Sequence, residues 1–473
     1  MEYDVVVIGA GPAGLFAAYE LAEKSRGRLR IAVVERGARA SERRCPLTGS
    51  QRTSYDAVQK CVGCKPCHIL HGVGGAGALS SGTINLRPDV GGELHKLVGS
   101  WREAEELIGY VDKIFVEHGA PCDRLYMPPS DRTSELERLA AKAGAKFIPT
   151  PQRHIGSENT PRVVESIAKR IEERGVRFYL RTRALDLERS GRTVRVKTDQ
   201  GILSTRYVVL APGRSGASWF ADLTTRRGIE VEPGPLDIGV RVEIPAYIAE
   251  PITSVIRDPK FIMYTKVYDD KVRTFCANPY GFVLEERYEN GVVAVNGESY
   301  AEIKSKNTNF ALLVTIKLTD PLEDTIAYGR YIAGLATRLG GGKPLIQRFG
   351  DLEAGRRSTW DRIDRSTIEP TLKNVTPGDI GMALPYRVVA NLIEAMHRLD
   401  TIMPGVASNQ TLLYAPEIKF YSVRAVTSKE LETTLENIFV AGDGAGLSRG
   451  INVAAATGVI AARSILRREG LLH

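Results

Sequence analysis

The first fourteen residues constrain this chain more than any other stretch. Val5, Val6, Val7 and Ile8 form a short continuous apolar run, the pattern of a strand buried on both faces of a parallel sheet. Gly9, Gly11 and Gly14 follow as G-x-G-x-x-G, and Leu15-Phe-Ala-Ala-Tyr-Glu-Leu-Ala22 is a run of good helix formers. The glycines have separate tasks: a tight turn, a close approach of backbone to a pyrophosphate, and close packing of helix on strand. The helix N-terminus, carrying Pro12 and Ala13, offers N–H groups and a positive dipole end to phosphates. A second strand, Arg30-Ile-Ala-Val-Val-Glu35, ends in an acid about 20 residues downstream, where such folds bind a ribose hydroxyl, and Arg36 follows it. The predicted unit is a β-α-β dinucleotide-binding half, with Gly9, Gly11, Pro12, Ala13, Gly14, Glu35 and Arg36 toward the ligand.

The 473 residues are enough for two or three domains with sizeable cores. Residues 1–95 read as the first segment of the nucleotide-binding fold, including a Cys- and Gly-rich loop. Residues 96–150 read as a helical insertion, because Ala104-Glu-Glu-Leu-Ile-Gly-Tyr-Val-Asp-Lys-Ile-Phe-Val116 carries apolar residues at 3–4 spacing. Residues 151–228 return to the nucleotide-binding fold, with strand Tyr207-Val-Val-Leu-Ala211 running into Pro212-Gly213. Residues 229–385 alternate in the strand period, as in Asp237-Ile-Gly-Val-Arg-Val-Glu-Ile244, and predict an inserted, mostly antiparallel substrate domain. Residues 386–473 close the nucleotide-binding fold with Asn437-Ile-Phe-Val-Ala441 and a final helix. No second strand–G-x-G-x-x-G–helix unit occurs, so a nicotinamide nucleotide, if used, has no separate domain.

The C-terminal stretch selects among dinucleotides. Gly442-Asp443-Gly444-Ala-Gly446 lies between a buried strand and a helix. There Asp443 would accept a hydrogen bond from a ribityl hydroxyl. Gly450, Ile451 and Asn452 would open a helix whose positive end faces the flavin N1–C2=O edge. That arrangement points to FAD, with Gly74, Gly75, Ala184, Ala211 and Gly213 completing the expected contacts.

These blocks resemble the glutathione-reductase-type flavoproteins. Cys61-Val-Gly-Cys-Lys-Pro-Cys67, Gly72-Val-Gly-Gly-Ala-Gly-Ala78, Val295-Asn-Gly297, Ala415-Pro-Glu-Ile-Lys-Phe-Tyr-Ser422 and Gly442-Asp-Gly-Ala-Gly-Leu-Ser-Arg-Gly450 resemble, more narrowly, the FAD-dependent, NAD(FAD)-utilising dehydrogenase family. The resemblance implies an α/β fold: a Rossmann-like FAD-binding parallel sheet with an inserted mixed or antiparallel-sheet domain. It implies oxidoreductase chemistry and names no substrate.

Cys45, Cys61, Cys64 and Cys67 supply four thiols, three of them at C-x2-C-x2-C spacing. An iron–sulfur cluster relaying electrons to the flavin is one reading. A four-cysteine zinc site is another, and disulfides, a redox-active C-x-x-C or unliganded thiols remain open. The loop Gly72–Gly77 that follows is expected on the isoalloxazine side. His71, which borders it, is a candidate proton shuttle. Arg241 and Glu243 share one face of a strand by the two-residue period, either as a substrate-binding Arg beside an acid or as a surface ion pair. Lys419, Arg449 and Asn452 are further catalytic candidates near the flavin.

Hydrophobic (43%) and charged (25%) fractions are those of a soluble globular protein. No apolar run reaches the roughly 18 residues of a membrane span, and the first residues enter a core strand directly, so a cytoplasmic location is expected. The net charge of +8 comes from 64 basic against 56 acidic residues in scattered positions, which argues against nucleic acid as a partner. Only six Met and six Gln among many Arg and Glu lean toward a thermophile. The leading expectation is an FAD-dependent oxidoreductase moving a hydride between a small organic substrate and flavin N5, with NAD(P)H or an electron-transfer protein as the other partner. A flavin/thiol redox carrier or sensor and a flavin-dependent RNA-modifying enzyme are the alternatives, and a homo-oligomer is open.

Overall fold

The structure is a computed structural model that describes residues 2–45, 62–80, 82–288, 291–300, 303–316, 325–420 and 423–472. Val5–Ile8 is the central strand of a five-stranded parallel sheet, ordered Ile438–Val440, Tyr207–Leu210, Val5–Ile8, Ile31–Val34, Arg177–Tyr179. Its four residues divide by the strand period. Val5 and Val7 face the helices Pro12–Ser25, Thr160–Glu173 and Ile451–Arg468, while Val6 and Ile8 face a three-stranded antiparallel sheet (Ala184–Thr205) and Phe220 and Leu223 of the helix Ala217–Arg227. Both faces are covered, which is why the strand reads as a continuous apolar run.

The helices Pro12–Ser25 and Ile451–Arg468 cross in close contact, although they lie at opposite ends of the chain. A Cβ on Gly458 would stand 2.0 Å from the Ala13 carbonyl oxygen, so only glycine permits this approach. Arg463 Nε and Tyr110 Oη each donate to the buried Glu20, tying the final helix and the Trp101–Glu117 helix to the first (2.7 and 2.5 Å).

A second, eight-stranded sheet runs Thr376–Pro377, Leu345–Arg348, Leu412–Phe420, Leu236–Pro245, Asn307–Ile316, Lys271–Asn278, Lys260–Tyr264, Ala145–Ile148. All neighbours are antiparallel except the first two. One face is apolar: Ile238, Val240, Val242 and Ile244 pack with Phe310, Leu312 and Val314 beneath Leu392, Ala395, Met396 and Leu399 of the helix Tyr386–Ile402. Two strands of this sheet come from outside residues 229–385. Ala145–Ile148 forms its edge, and Leu412–Phe420 pairs with Leu236–Pro245 near its centre. Sequence period alone assigns a strand to no particular sheet, and both lie in stretches that also contain helices.

Candidate functional site

Between the two sheets lies one cavity of about 1070 Å³. That is at the upper end of the usual 300–1,000 Å³ for ligand sites, large enough for a dinucleotide and a small second ligand.

One end is built on the opening glycine turn. Gly14 carries no side chain because a Cβ would meet the Gly9 carbonyl oxygen at 1.8 Å, and this lets the helix start tight against the strand. Gly11 is the N-cap and Pro12 occupies the first turn, with no side chain capping the helix, so its first N–H groups face the cavity. The buried Glu35 carboxylate accepts from three backbone N–H groups: Ala10 (2.8 Å), Gly37 (2.8 Å) and Gly72 (2.9 Å). A carboxylate has about four acceptor positions, so one remains for a ligand hydroxyl. Arg36, His71 and Ala184 line the same end of the cavity, with Arg36 Nη1 3.4 Å from His71 Nε2.

The other end is built at the final helix. Ala211, Gly213, Gly442, Asp443, Gly450, Ile451 and Asn452 all line the cavity. Asp443 accepts from Ser448 Oγ (2.5 Å), and burial pushes its carboxyl up, partly countered by the Arg214 guanidinium. The helix Ile451–Arg468 begins at Gly450 with no side-chain cap. Asn452 Nδ2 donates to the Asn85 carbonyl (3.2 Å), which fixes the amide, and its buried Oδ1 has no hydrogen-bond partner among the described residues. A buried acceptor left open at an uncapped helix N-terminus fits a ligand that brings both a donor and negative charge.

Opposite these turns stands the polar face of the eight-stranded sheet, where Asp237, Gly239, Arg241 and Glu243 alternate with the apolar residues of the same strand. Arg241 is fully buried and makes five hydrogen bonds: two to the Glu417 carboxylate (2.9 and 3.3 Å) and one each to the Cys276 carbonyl, Asn309 and Asn296. Burial works against its charge, but Glu417 holds its pKa up. Burial would likewise raise Glu417, and Arg241 and Lys419 instead hold it below the usual carboxylate range. Glu243, also buried, accepts from Tyr414 Oη and Thr371 Oγ1 at 2.5 Å each, and burial pushes it up.

The family model described as FAD dependent oxidoreductase matches residues 4–59 and 73–305, more than half of the chain. The chain belongs to this family of FAD-dependent oxidoreductases. A second model, FAD-dependent protein, C-terminal domain-like, matches residues 235–419. The oxidoreductase is 25% identical over 490 residues to an uncharacterized protein of Clostridium beijerinckii, covering 98% of this chain and 81% of that one. Among solved structures it is similar to a glycine oxidase from Geobacillus kaustophilus (14% identity, TM-score 0.43, 99% and 95% covered) and to an L-proline dehydrogenase from P.horikoshii (13%, 0.43, 99% and 94%). A likeness of that degree fixes neither the fold in detail nor the substrate.

Several expected placements change in this FAD-dependent oxidoreductase. The Gly72–Gly77 loop runs from the opening glycine turn, where Gly74 N–H donates to the Ala10 carbonyl (2.7 Å) and a Cβ on Gly75 would stand 2.9 Å from the Gly11 Cα, to the final helix, where a Cβ on Gly77 would stand 3.3 Å from Ile451 Cγ1. Gly14 and Gly74 therefore shape the turn and do not line the cavity. His71 follows the loop to the Glu35–Arg36 end, and its Nδ1 lies 3.3 Å from the Cys67 carbonyl.

Cys67 lies at the same end as His71, and the four-cysteine site includes Cys61, which falls outside the described residues. Among the described residues no group of three His, Cys, Asp or Glu could hold a metal ion. Arg241 is neither a surface ion pair nor a cavity-lining group. It is a buried anchor behind Lys419, and Lys419 and Arg449 do line the cavity. Sequence reasoning missed Asn85, Gly91 and Gly92, which lie along Ser448–Gly450, with Arg449 N–H donating to the Gly91 carbonyl (2.7 Å). The Gly91–Gly92 pair was the available signal. It also missed Lys271, Arg273 and Thr315 on the polar sheet face.

Proposed function

We propose that the cavity binds FAD with its adenosine half at Glu35–Arg36, its pyrophosphate on the Gly9–Gly14 turn, and its flavin against Gly450–Asn452, as in glutathione-reductase-type proteins. A small organic substrate then lies between the flavin and the polar face of the eight-stranded sheet. The open Oδ1 of Asn452 carries this reading, because a flavin presents an N–H donor between two carbonyl oxygens to just such an acceptor. When bound, FAD supplies the two-electron chemistry at N5. Glu35 would take an adenosine hydroxyl on its remaining acceptor position while its other three hold the turn together. Asp443 would receive a ribityl hydroxyl at the carboxyl it turns to the cavity. The uncapped helix would stabilise negative charge at the flavin's pyrimidine edge. NAD(P)H or an electron-transfer protein would be the flavin's other redox partner.

The test is FAD retention. Purified protein reconstituted with FAD should stay yellow after gel filtration and bleach with dithionite. Asn452→Leu should bind FAD about tenfold more weakly, the cost of one buried donor left without its acceptor being roughly 1–3 kcal/mol. A protein that keeps no FAD, or an Asn452→Leu variant that binds it as tightly, defeats the reading.

A further inference from the structure

Three side-chain amides, Gln152, Asn85 and Asn452, stand in series at the flavin end of the cavity, and the end that each one presents is fixed by hydrogen bonds that lead back to backbone. The oxygen and nitrogen of an amide are close in size, so which of them faces a site is decided by hydrogen bonding. The series begins at Asp258, which its own carboxylate anchors: Oδ1 accepts from Ala277 N–H (2.8 Å) and Oδ2 from Lys260 Nζ. Asp258 N–H donates to Gln152 Oε1 (3.0 Å), and Gln152 Nε2 donates to the Asp258 carbonyl (3.2 Å). A backbone N–H can only donate and a backbone carbonyl can only accept, so the fully buried Gln152 has one orientation. Its Nε2 also donates to Asn85 Oδ1 (2.8 Å).

That bond orients Asn85 in turn. With Oδ1 given to Gln152, Nδ2 is the end left over. Asn85 lines the cavity, and its Nδ2 makes no hydrogen bond among the described residues. The Asn85 carbonyl orients the next amide: it accepts from Asn452 Nδ2 (3.2 Å), which leaves Asn452 Oδ1 as the open end. Strand pairing keeps the series in register. Asn85 lies opposite Gln152 across the strands Thr83–Asn85 and Gln152–His154, and Leu86 N–H donates to the Pro151 carbonyl (2.8 Å). The cavity wall therefore carries a donor, Asn85 Nδ2, and an acceptor, Asn452 Oδ1, on two residues already in contact. A single open acceptor takes any donor. A donor and an acceptor side by side, with their ends fixed, select a ligand edge that carries N–H next to C=O, and the pyrimidine edge of a flavin is such an edge.

We propose that Asn85 is a flavin-binding residue, donating from Nδ2 to a pyrimidine carbonyl of FAD while Asn452 Oδ1 accepts from N3–H, and that Gln152 is the positioning residue that sets this pair. The inference rests on the FAD-dependent reading of the same cavity and adds to it a second contact and the origin of its polarity. Gln152 does not line the cavity and acts through Asn85. A flipped Asn85 would set its oxygen against the flavin carbonyl, acceptor against acceptor, and the wall would then reject the edge it now matches.

The experiment titrates the full chain with FAD and with 3-methyl-FAD, following flavin fluorescence, and records the visible circular dichroism of the bound flavin at saturation. Wild type should bind 3-methyl-FAD, which lacks the N3 proton, at least tenfold more weakly than FAD. Asn85→Leu should raise the FAD Kd about tenfold, by leaving a flavin carbonyl without its donor. Asn85→Asp keeps an acceptor for Gln152 and turns a second oxygen to the flavin, so it should bind FAD no better than Asn85→Leu. Gln152→Met should raise the Kd by itself and add nothing beside Asn85→Leu, because a residue that acts through another is not additive with it. At saturation its flavin circular dichroism should match that of Asn85→Leu, a change that lost stability alone would not produce. A wild-type Kd in Asn85→Leu or Asn85→Asp, or a Gln152→Met effect that multiplies in full in the double variant, overturns the proposal and leaves the FAD reading intact. If Gln152→Met does not fold, the two Asn85 variants decide by themselves. 3-Methyl-FAD bound as tightly as FAD, or a protein that retains no FAD at all, defeats both readings.

Discussion

Removing Arg241 tests whether the buried charge on the sheet face is structural. Arg241→Met deletes five hydrogen bonds and leaves Glu417, fully buried, with Lys419 as its remaining ion-pair partner among the described residues. Breaking a buried pair by removing one partner costs about 3–5 kcal/mol. At roughly 2–4 °C per kcal/mol for a unit of 150–250 residues, the melting temperature should fall by roughly 6–20 °C. Glu417→Gln should be worse, because it leaves two buried cations, Arg241 and Lys419, sharing no anion. Adding Lys419→Met to Glu417→Gln should recover part of the loss by removing one of them. The pH dependence has a definite sign. Glu417 titrates below its unfolded value, so its stabilising contribution is complete above the ordinary carboxylate range and disappears as pH falls through the lower folded value. The gap between wild type and Arg241→Met should therefore narrow on acidification. Near-UV circular dichroism melts of the apoprotein at neutral and acid pH give all four quantities. A stability loss under about 1 kcal/mol for Arg241→Met, or a Glu417→Gln variant milder than Arg241→Met, would refute this account of the face.

Gly458→Ala should force the first and last helices apart, because the new Cβ meets backbone 2.0 Å away and backbone cannot swing aside. A loss of roughly 3 kcal/mol is expected, with weakened FAD binding, read by thermal melts and flavin release. Asp443→Asn should act in opposite directions on apoprotein and holoenzyme. Burial raises this carboxyl in the folded state, so its ionised form destabilises the apoprotein above that raised value and the penalty vanishes on acidification. Asn removes the penalty, so the apoprotein melts at equal or higher temperature at neutral pH while FAD dissociates more readily. A lower apoprotein melting temperature together with unchanged FAD affinity would count against the ribityl role.

The nucleotide-binding half was legible because its determinants are local. Four consecutive apolar residues, three glycines at fixed offsets and an acid at the end of the next strand each report on backbone within a few residues of themselves. The closing strand Ile438–Val440 was legible for the same reason, with Gly442 directly after it. The Gly72–Gly77 loop was visible as a loop, but its seat on the opening turn was not. That seat is set by contacts made across the fold, from Gly74 to Ala10 and from Gly72 to Glu35, and no local pattern encodes them. His71 and Cys67 moved with the loop to the Glu35–Arg36 end.

The polar sheet face went unrecognised for a different reason. In an antiparallel strand the alternation Asp237-Ile-Gly-Val-Arg-Val-Glu243 normally means one face on the core and the other in water. Here both faces are closed. Helices cover the apolar side, and the hairpin Phe282–Glu298 with the nucleotide-binding half covers the polar side, so Asp237, Arg241 and Glu243 are as buried as the valines between them. Period predicts which residues share a face and says nothing about what lies above that face. A water-facing row of Arg, Glu and Lys would contribute little to stability, since exposed pairs are typically worth less than 1 kcal/mol. The same row under a lid must balance its charge within itself or through a ligand. Asp237 with Arg273, and Glu417 with Arg241, achieve the balance internally. Lys419 shares its carboxylate with Arg241, and Lys271 feels Asp237 and Glu93. Glu285, Glu286 and Glu298 of the covering hairpin line the same cavity as Lys271 and Lys419, so the charge of this face is balanced across the cavity and not along one strand.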